Sequence, residues 1–504
     1  MFRKITAAIA ATLAATLMLT SCAADSKDPA QSSPNPSKQH ASKINWAECK
    51  NTKKFECGEL EVPLDWKKPD GAKIKIAATR IQAKNGADKA QGTIFVNPGG
   101  PGGSGIEYLQ SSANQYETLR EKYNIAAWDP RGVGKSSPVI CFDDKELDEH
   151  FFGDPKAAPE PGSQAWLDYA KKENSKFAAG CEKRTGDLYK HVSTVQTVHD
   201  LDALRKAVGD EKLNYVGLSY GTFIGAIYAD IYGKNVGRFL LDGAVDPAAD
   251  TKEIILTQTK GFEHAFNNYL ADCVKRGCWG NGDVDAHKRE IKDLLARYES
   301  NPQKTRDGLW VGTGTVMTAM FTTLYSKQSW PILDRVIGEL KDGKLDTTVR
   351  VASSYYSRDA SGRYTDNSHQ ALTVINCIDK PPVKASLAEM RKSAAELEKA
   401  APVFGKYNGY GEAYCQGWPT EGADAHPPIT GKDAPPILVV GTSGDPATPV
   451  HWAKALAKQL GKGVFLEFKG EGHVAFRQGN RCVDDAVKGL FFDGKVPQDG
   501  AVCR

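Results

Sequence analysis

The chain contains a series of short, mainly apolar runs, most of them ended by glycine, proline or aspartate. Runs of this kind, separated by longer segments with helical spacing, are typical of strands in a sheet that is buried on both faces. The runs cover residues 60–63, 73–81, 92–96, 123–128, 213–216, 237–243, 436–441 and 463–468. Their alternation with helical segments predicts an α/β protein with a mostly parallel, doubly wound sheet.

Helical runs replace the strand pattern in the interval between residues 248 and 433. They cover residues 254–273, 285–298, 330–340 and 387–400. An insertion of helices between two strands of such a sheet predicts an inserted helical subdomain, which we call the cap. The domain boundaries that follow are a core in two parts, 45–247 and 434–504, with a helical cap over 248–433.

The N-terminus predicts export and a lipid anchor. Arg3 and Lys4 precede an apolar run over residues 5–19, which has signal-peptide length and is too short for an ordinary membrane span. The signal peptide, 1–21, ends in Leu-Thr-Ser before Cys22, which matches a bacterial lipobox. We therefore expect cleavage before Cys22 and diacylation of its thiol. The alternative is a plain secretory signal with an incidental cysteine.

The segment over residues 22–44 is rich in Ser, Pro, Asn and Gln. That composition is typical of a disordered tether. The expected location is the outer face of the cell membrane, where the lipid at Cys22 holds the protein, with partial secretion as an alternative. The formal charge of +3 falls to about +1 when Arg3 and Lys4 are removed, so the charge gives no basis for nucleic-acid binding.

Eleven cysteines support an exported chain. Without Cys22 ten remain, an even number that favours disulfides over metal or redox chemistry. No Cys-x-x-Cys motif occurs and no Cys/His cluster has zinc spacing, so neither a metal nor a cofactor is expected. Proximity along the chain favours the pairs Cys49–Cys57, Cys141–Cys181, Cys273–Cys278, Cys377–Cys415 and Cys482–Cys503.

Residues 217–221 read Gly-Leu-Ser-Tyr-Gly, between the run 213–216 and the small-residue apolar stretch 222–229. Strand, tight turn and helix form the context of a G-x-S-x-G nucleophile elbow, which holds the serine hydroxyl above the sheet. We therefore predict that Ser219 is a catalytic nucleophile. The alternative is an ordinary Gly-Ser loop.

A nucleophilic serine needs a base and an acid that orients it, and in this arrangement the acid precedes the histidine. Asp445 follows the run 436–441 and His473 follows the run 463–468, so both lie where parallel strands end and an active site forms. His451 and His199 fall in helical segments, and we interpret them as structural.

The run 92–96 breaks into Asn-Pro-Gly-Gly-Pro-Gly-Gly-Ser-Gly over 97–105. A phosphate-binding loop is the alternative, but the Lys-Ser/Thr ending is missing and the prolines remove amides that such a loop uses. An oxyanion hole fits better, because glycines permit close approach of the backbone. We predict that it uses the amides of Gly100 (or Gly99) and Tyr220.

Four motifs occur in a fixed order: Asn-Pro-Gly-Gly-Pro-Gly at 97–102, Asp-Pro-Arg-Gly-x-Gly-x-Ser at 129–136, the elbow, and Asp-Pro-x-Thr-Pro at 445–449. From about Trp46 to the C-terminus, the chain resembles the prolyl-aminopeptidase family of α/β-hydrolases, and within it the secreted bacterial tripeptidyl aminopeptidases. Prolyl aminopeptidases usually have His before Gly-Gly-Pro-Gly. Asn97-Pro98 stands there instead, which weakens any expectation of a strict proline preference.

The resemblance implies an α/β-hydrolase fold and an extracytoplasmic serine exopeptidase that acts through an acyl-enzyme. Its substrates would be peptides, from whose free N-termini it releases tripeptides or single residues. A carboxylesterase or lipase uses the same triad and is the main alternative. A catalytically inactive envelope-binding lipoprotein is disfavoured because every catalytic element is present.

A demand for a free N-terminus requires a carboxylate that pairs with the substrate ammonium. Asp379 is the candidate, because an apolar run could carry it to the pocket edge and similar Cys-x-Asp segments occur in the tripeptidyl branch. Glu412 and Glu107 are the other candidates. The alternative is that Asp379 caps a helix or pairs with Lys380 in solvent.

Overall fold

One ten-stranded sheet forms the centre of the computed structural model, which describes residues 43–380, 383–419, 426 and 428–504. The predicted signal peptide, the lipidation site Cys22 and all but the last two residues of the predicted tether lie outside the described residues. In chain order the strands of the described residues are β1 (Ala47–Cys49), β2 (Thr52–Pro63), β3 (Lys73–Ile81), β4 (Thr93–Asn97), β5 (Asn124–Trp128), β6 (Leu213–Leu218), β7 (Val236–Asp242), β8 (Gln303–Lys304), β9 (Trp310–Val311), β10 (Ile437–Gly444), β11 (Gly463–Glu471) and β12 (Ala501–Cys503).

The strand order in the sheet is β1-β2-β3-β5-β4-β6-β7-β10-β11-β12, while β8 and β9 pair separately. The neighbours from β5 to β12 are parallel, and β1, β2 and β3 add antiparallel pairs at one edge. The predicted α/β-hydrolase fold, with its mostly parallel sheet, is confirmed. The carboxyl ends of β4, β6, β7, β10 and β11 therefore lie along one edge of the sheet.

Helices pack against the sheet and form the interval predicted as a cap. In chain order those of the described residues are α1 (Gly105–Ser112), α2 (Asp144–Phe152), α3 (Gln164–Thr185), α4 (Thr194–Ala207), α5 (Tyr220–Ile231), α6 (Thr251–Arg276), α7 (Val284–Ser300), α8 (Thr313–Leu324), α9 (Trp330–Lys341), α10 (Asp346–Tyr355), α11 (Ser368–Asp379), α12 (Leu387–Ala400), α13 (Gly405–Asn408), α14 (Val450–Gln459) and α15 (Arg481–Asp493). Within the described part of the chain, none of these helices has the length and apolar character needed to cross a membrane.

Two apolar clusters lie on opposite faces of the sheet. Successive strand residues point to opposite faces, so Phe95 of β4 joins the cluster that includes α4, α5 and α14. Its neighbours Ile94 and Val96 join the cluster that includes α1 and α15. The sheet is therefore buried on both sides, which explains why its central strands read as continuous apolar runs.

The interval predicted as a cap holds the helices α6 to α13, and a third apolar cluster lies among them. Fully buried side chains of α6, α8 and α9 form its centre, including Phe266, Met320 and Leu333. The helical runs predicted from the sequence correspond to α6, α7, α9 and α12. The helices α2 and α3, between β5 and α4, had no counterpart among the predicted elements.

All five cysteine pairs favoured by proximity are disulfides in the structure, which confirms them. The bridge Cys377–Cys415 joins α11 to the segment after α13 within the cap. The bridge Cys482–Cys503 joins α15 to the edge strand β12.

Candidate active site

Ser219 lies in a sharp turn between β6 and α5, with φ 55° and ψ −125°. This left-handed conformation is costly for a residue with a side chain, so surrounding contacts must hold it. The backbone N–H of Ser219 donates to the carbonyl of Asp242 at 2.9 Å. A Cβ on Gly221 would lie 2.7 Å from the carbonyl oxygen of Asn97, which is why only glycine fits there. The elbow predicted from the sequence is thus present in its backbone geometry.

Asp445 and His473 form a hydrogen-bonded pair in the loops after β10 and β11. Nδ1 of His473 lies 2.9 Å from each carboxylate oxygen of Asp445, which is 2% exposed. The backbone amides of Ala447 and Thr448 donate to Oδ1 of Asp445, and the Thr448 hydroxyl donates to Oδ2. Because the carboxylate accepts all these bonds, Nδ1 of His473 is the protonated nitrogen and Nε2 is left for proton transfer.

The pKa of His473 is set by opposing effects. Burial disfavours the imidazolium and lowers the pKa, whereas the charge and hydrogen bond of Asp445 raise it, with a smaller contribution from the charge of Asp242. The net result is a pKa above its usual range. The neutral imidazole that a general base requires therefore becomes dominant only as the pH rises through this raised pKa.

The glycine loop after β4 lies directly against the elbow. Gly99 has φ 97°, and a Cβ there would lie 2.9 Å from the backbone nitrogen of Tyr220 and 2.6 Å from the carbonyl oxygen of Leu218. The amide of Gly103 donates to the carbonyl of Gly99, which closes the turn that contains Gly100. The loop thus packs directly against the first residue of α5. The amide of Gly99 donates to Oδ1 of Asn97 at 2.9 Å, so of the two predicted glycines Gly100 is the candidate oxyanion donor.

Asp242, at the end of β7, connects the elbow to the loop that carries His473. Its carbonyl accepts from Ser219, and its carboxylate accepts from the amides of Ala475 and Phe476 at 2.9 and 2.6 Å. A Cβ on the next residue, Gly243, would lie 3.2 Å from Cε1 of His473. The backbone of Ser219 and the ring of His473 therefore both lie beside the end of β7.

Burial raises the pKa of Asp242 to about 6, against the lowering effect of the two backbone amides. The sequence analysis missed this residue. A signal for it was present in the sequence. Asp242 lies at the end of the apolar run that follows the elbow, just as Asp445 follows its own apolar run.

We expect Asp242→Asn to lower kcat by about ten- to a hundredfold with little change in KM, because one acceptor oxygen becomes an NH₂ group facing a backbone N–H and the His473 loop moves. Asp242 is ionised above about pH 6. Losing this charge near His473 should also move the midpoint of the pH–rate profile to lower pH. Steady-state kinetics as a function of pH measure both effects.

The exposed Asp493, at the end of α15, offers a matched control for that variant. Asp493→Asn removes the same charge from the chain and should leave kcat and the midpoint unchanged. An equal loss in both variants, or an unmoved midpoint in Asp242→Asn, would contradict a positioning role for Asp242.

The carboxylates proposed as amine anchors lie in different places. Both oxygens of Asp379 accept from Thr194 at the start of α4, one from its backbone amide at 2.7 Å and one from its hydroxyl at 2.5 Å. The hydroxyl of Thr194 also hydrogen-bonds the phenol of Tyr220 in the elbow. Glu412 is 5% exposed in the segment after α13, whereas Glu107 is exposed in the first turn of α1.

The two histidines interpreted as structural lie away from the pair. Nδ1 of His199, in α4, lies 2.7 Å from the phenol oxygen of Tyr232. His451 is exposed in the first turn of α14.

One group in the described ranges has metal-ligand spacing, Cys273, Cys278 and Asp334, with donor atoms within 4.8 Å of one another. Its two sulfurs are joined in a disulfide, so the group offers no thiolate.

Two family models and several curated relatives match this chain. A family model described as "alpha/beta hydrolase fold" matches residues 92–278, and one described as "TAP-like protein" matches residues 401–503. The serine protease Hip1 of Mycobacterium tuberculosis is 36% identical, over 89% of this chain and 87% of its own length. A tripeptidyl aminopeptidase of Streptomyces lividans is 29% identical over 91% and 86%. Carboxylesterase B of M. tuberculosis is 30% identical over 89% and 86%.

Proposed function

The chain belongs to the α/β-hydrolase family that includes the Hip1 serine proteases and tripeptidyl aminopeptidases, and on that premise we propose that it is an extracytoplasmic serine exopeptidase. It removes short peptides, tripeptides among them, or single residues from free peptide N-termini. The observation that supports the catalytic part is the hydrogen-bonded Asp445–His473 pair, whose imidazole lies beside the end of β7, the strand end that also binds the backbone of Ser219.

Ser219 is the nucleophile in this proposal. Its hydroxyl attacks the scissile carbonyl while Nε2 of His473 takes its proton, and Asp445 keeps the imidazole in the required tautomer. The negative charge on the carbonyl oxygen is bound by the amides of Tyr220 and Gly100, because the amide of Gly99 donates to Oδ1 of Asn97. His473 then protonates the leaving amine, and water hydrolyses the acyl-enzyme by the same proton transfers in reverse.

A substrate panel tests the proposal. We expect tripeptidyl amide reporters with a free N-terminus to be hydrolysed with higher kcat/KM than N-acetylated reporters of the same sequence. Simple acyl ester reporters without a peptide part should be poorer substrates. Equal cleavage of blocked and free peptides would refute the aminopeptidase assignment.

Carboxylesterase activity is the second candidate function, because carboxylesterase B of M. tuberculosis matches most of this chain at 30% identity. Both activities use the same triad, so only the preferred substrate separates them. Hydrolysis of acyl esters with no turnover of any peptidyl amide would establish that candidate.

We propose Asp379 as the carboxylate that pairs with the substrate ammonium, in addition to its cap on the start of α4 through Thr194, with Glu412 and Glu107 as the other candidates. Asp379→Asn is expected to reduce the ratio of kcat/KM for free over acetylated peptides by at least about tenfold, since a paired ammonium loses its opposite charge. The ratio cancels any change in the catalytic rate itself. If the ratio survives in Asp379→Asn and falls in Glu412→Gln or Glu107→Gln, the anchor is that other carboxylate.

The location is proposed from the sequence of the N-terminus, where Cys22 would carry a diacylglyceryl group. Two acyl chains anchor stably, whereas one gives only marginal binding. We expect Cys22→Ala to move the protein from the membrane fraction to the soluble fraction with kcat/KM unchanged. Fractionation and mass spectrometry of the mature N-terminus measure this. A wild-type protein that is wholly soluble, with an unmodified N-terminus beyond Cys22, would refute the anchor.

A further inference from the structure

A cavity of about 550 Å³ lies among the cap helices. Its size is within the range of about 300–1,000 Å³ typical of pockets that enclose one small ligand, so it suits a short segment of chain. Phe262 of α6 and Met317 and Phe321 of α8 line it, with tyrosines from the segments after α8 and around the end of α10.

The walls of this cavity are neutral. No described residue that lines it is an Asp, Glu, Lys, Arg or His. The ionisable groups are tyrosines, and burial raises the pKa of Tyr355, one of them, to about 12, so the phenol stays protonated at neutral pH. Threonine, glutamine and asparagine side chains supply the remaining polar surface.

The side chain of Tyr325 lies between the cavity and His473, the proposed base. The ring of Tyr325, which lines the cavity, lies edge-on to the imidazole of His473 with centroids 5.4 Å apart. The carbonyl of Tyr325 accepts from the backbone amide of His473 at 2.8 Å. Gln258 of α6, which also lines the cavity, donates to the carbonyl of Ala447, two residues after Asp445. The cavity walls thus contact the loops that carry both the acid and the base.

We propose that this cavity receives the side chain of the residue that bears the scissile carbonyl and that it selects uncharged, apolar or aromatic side chains there; the inference rests on the proposed function. The piece that an exopeptidase releases is short, so the side chain next to the scissile bond can enter a pocket of limited size while the rest of the polypeptide extends into solvent. A charged side chain entering the cavity loses its hydration and meets no opposite charge. Apolar side chains gain burial against the aromatic walls.

The test uses four tripeptidyl groups that differ only in the residue bearing the scissile carbonyl: Leu, Phe, Lys or Glu. Each is prepared both as an amide and as an ester reporter. For the wild-type protein we expect kcat/KM for Leu and Phe to exceed that for Lys and Glu by about a hundredfold, as unpaired burial of a charge implies.

Thr322, on the cavity-facing side of α8, offers a direct test of the walls. Thr322→Glu should raise kcat/KM for Lys relative to Leu by at least about tenfold and should not help Glu, since only the cation gains a partner. Thr322→Gln adds bulk without charge, and Asn301→Glu adds the same charge at an exposed position of the cap. Neither should change the ranking.

Thermal unfolding of each variant shows whether it is folded. If Thr322→Glu unfolds, Thr313→Glu replaces it, because Thr313 also lines the cavity and begins α8, where an acidic residue is favourable. Equal turnover of charged and apolar groups by the wild type, or the same ranking in the glutamate variants, would overturn the proposal. Turnover of esters but not amides would refute the peptidase function alone. The ranking of the ester substrates would still test whether the cavity selects uncharged side chains.

Discussion

Ser219→Ala is expected to lower kcat by on the order of a millionfold, because the nucleophile, the base and the acid act as a unit. What remains should be the small rate that an intact oxyanion site and substrate binding provide without covalent catalysis. KM should change little, because the substitution removes only the hydroxyl and leaves the substrate pocket intact. Single-turnover and steady-state assays with the best peptidyl amide of the panel measure the loss.

The fold should survive this substitution. Ser219 is half-buried, and its backbone bonds to Asp242 and Thr222 do not involve the hydroxyl. We therefore expect a thermal transition close to that of the wild type. Ser111→Ala, at an exposed position of α1, is the matched control and should keep full activity. Turnover of Ser219→Ala within about tenfold of wild type would remove Ser219 from the mechanism.

The part of the fold that carries the proposed site was predictable because it is encoded locally. The elbow, β10 with Asp445 and β11 with His473 each combine an apolar run, a turn and one reactive side chain within about a dozen residues. Burial on both faces makes these strands apolar throughout, which is a strong signal in a single sequence. The order of the motifs along the chain then brings three side chains to one edge of the sheet.

The remaining features depend on contacts between distant parts of the chain. The position of Asp242 at the end of an apolar run is visible in the sequence, but its contacts with the amides of Ala475 and Phe476, more than 230 positions away, are not. The long helix α3 was missed because its sequence is largely polar and carries a weak apolar stripe. The neutral lining of the cap cavity likewise cannot be predicted from the sequence, because residues of α6, α8 and the end of α10 form it together.

The second large effect concerns the base and the acid. His473→Ala is expected to reduce kcat as severely as Ser219→Ala, and Asp445→Asn by about ten-thousandfold, because an amide favours the wrong imidazole tautomer but leaves the geometry in place. In the wild type, kcat/KM should rise with pH through a midpoint above the usual histidine value of about 6.5, since the pKa of His473 is raised.

The direction of the pH shift separates these roles. Asp445→Asn removes the charge that raises the pKa of His473 and keeps the burial that lowers it, so the midpoint of the residual activity should move to lower pH. His473→Ala should lose that midpoint altogether. His451→Ala, in the exposed first turn of α14, is the matched control and should keep both the rate and the midpoint. An equal loss in His451→Ala, or an unchanged midpoint in Asp445→Asn, would assign the base or the acid to another residue.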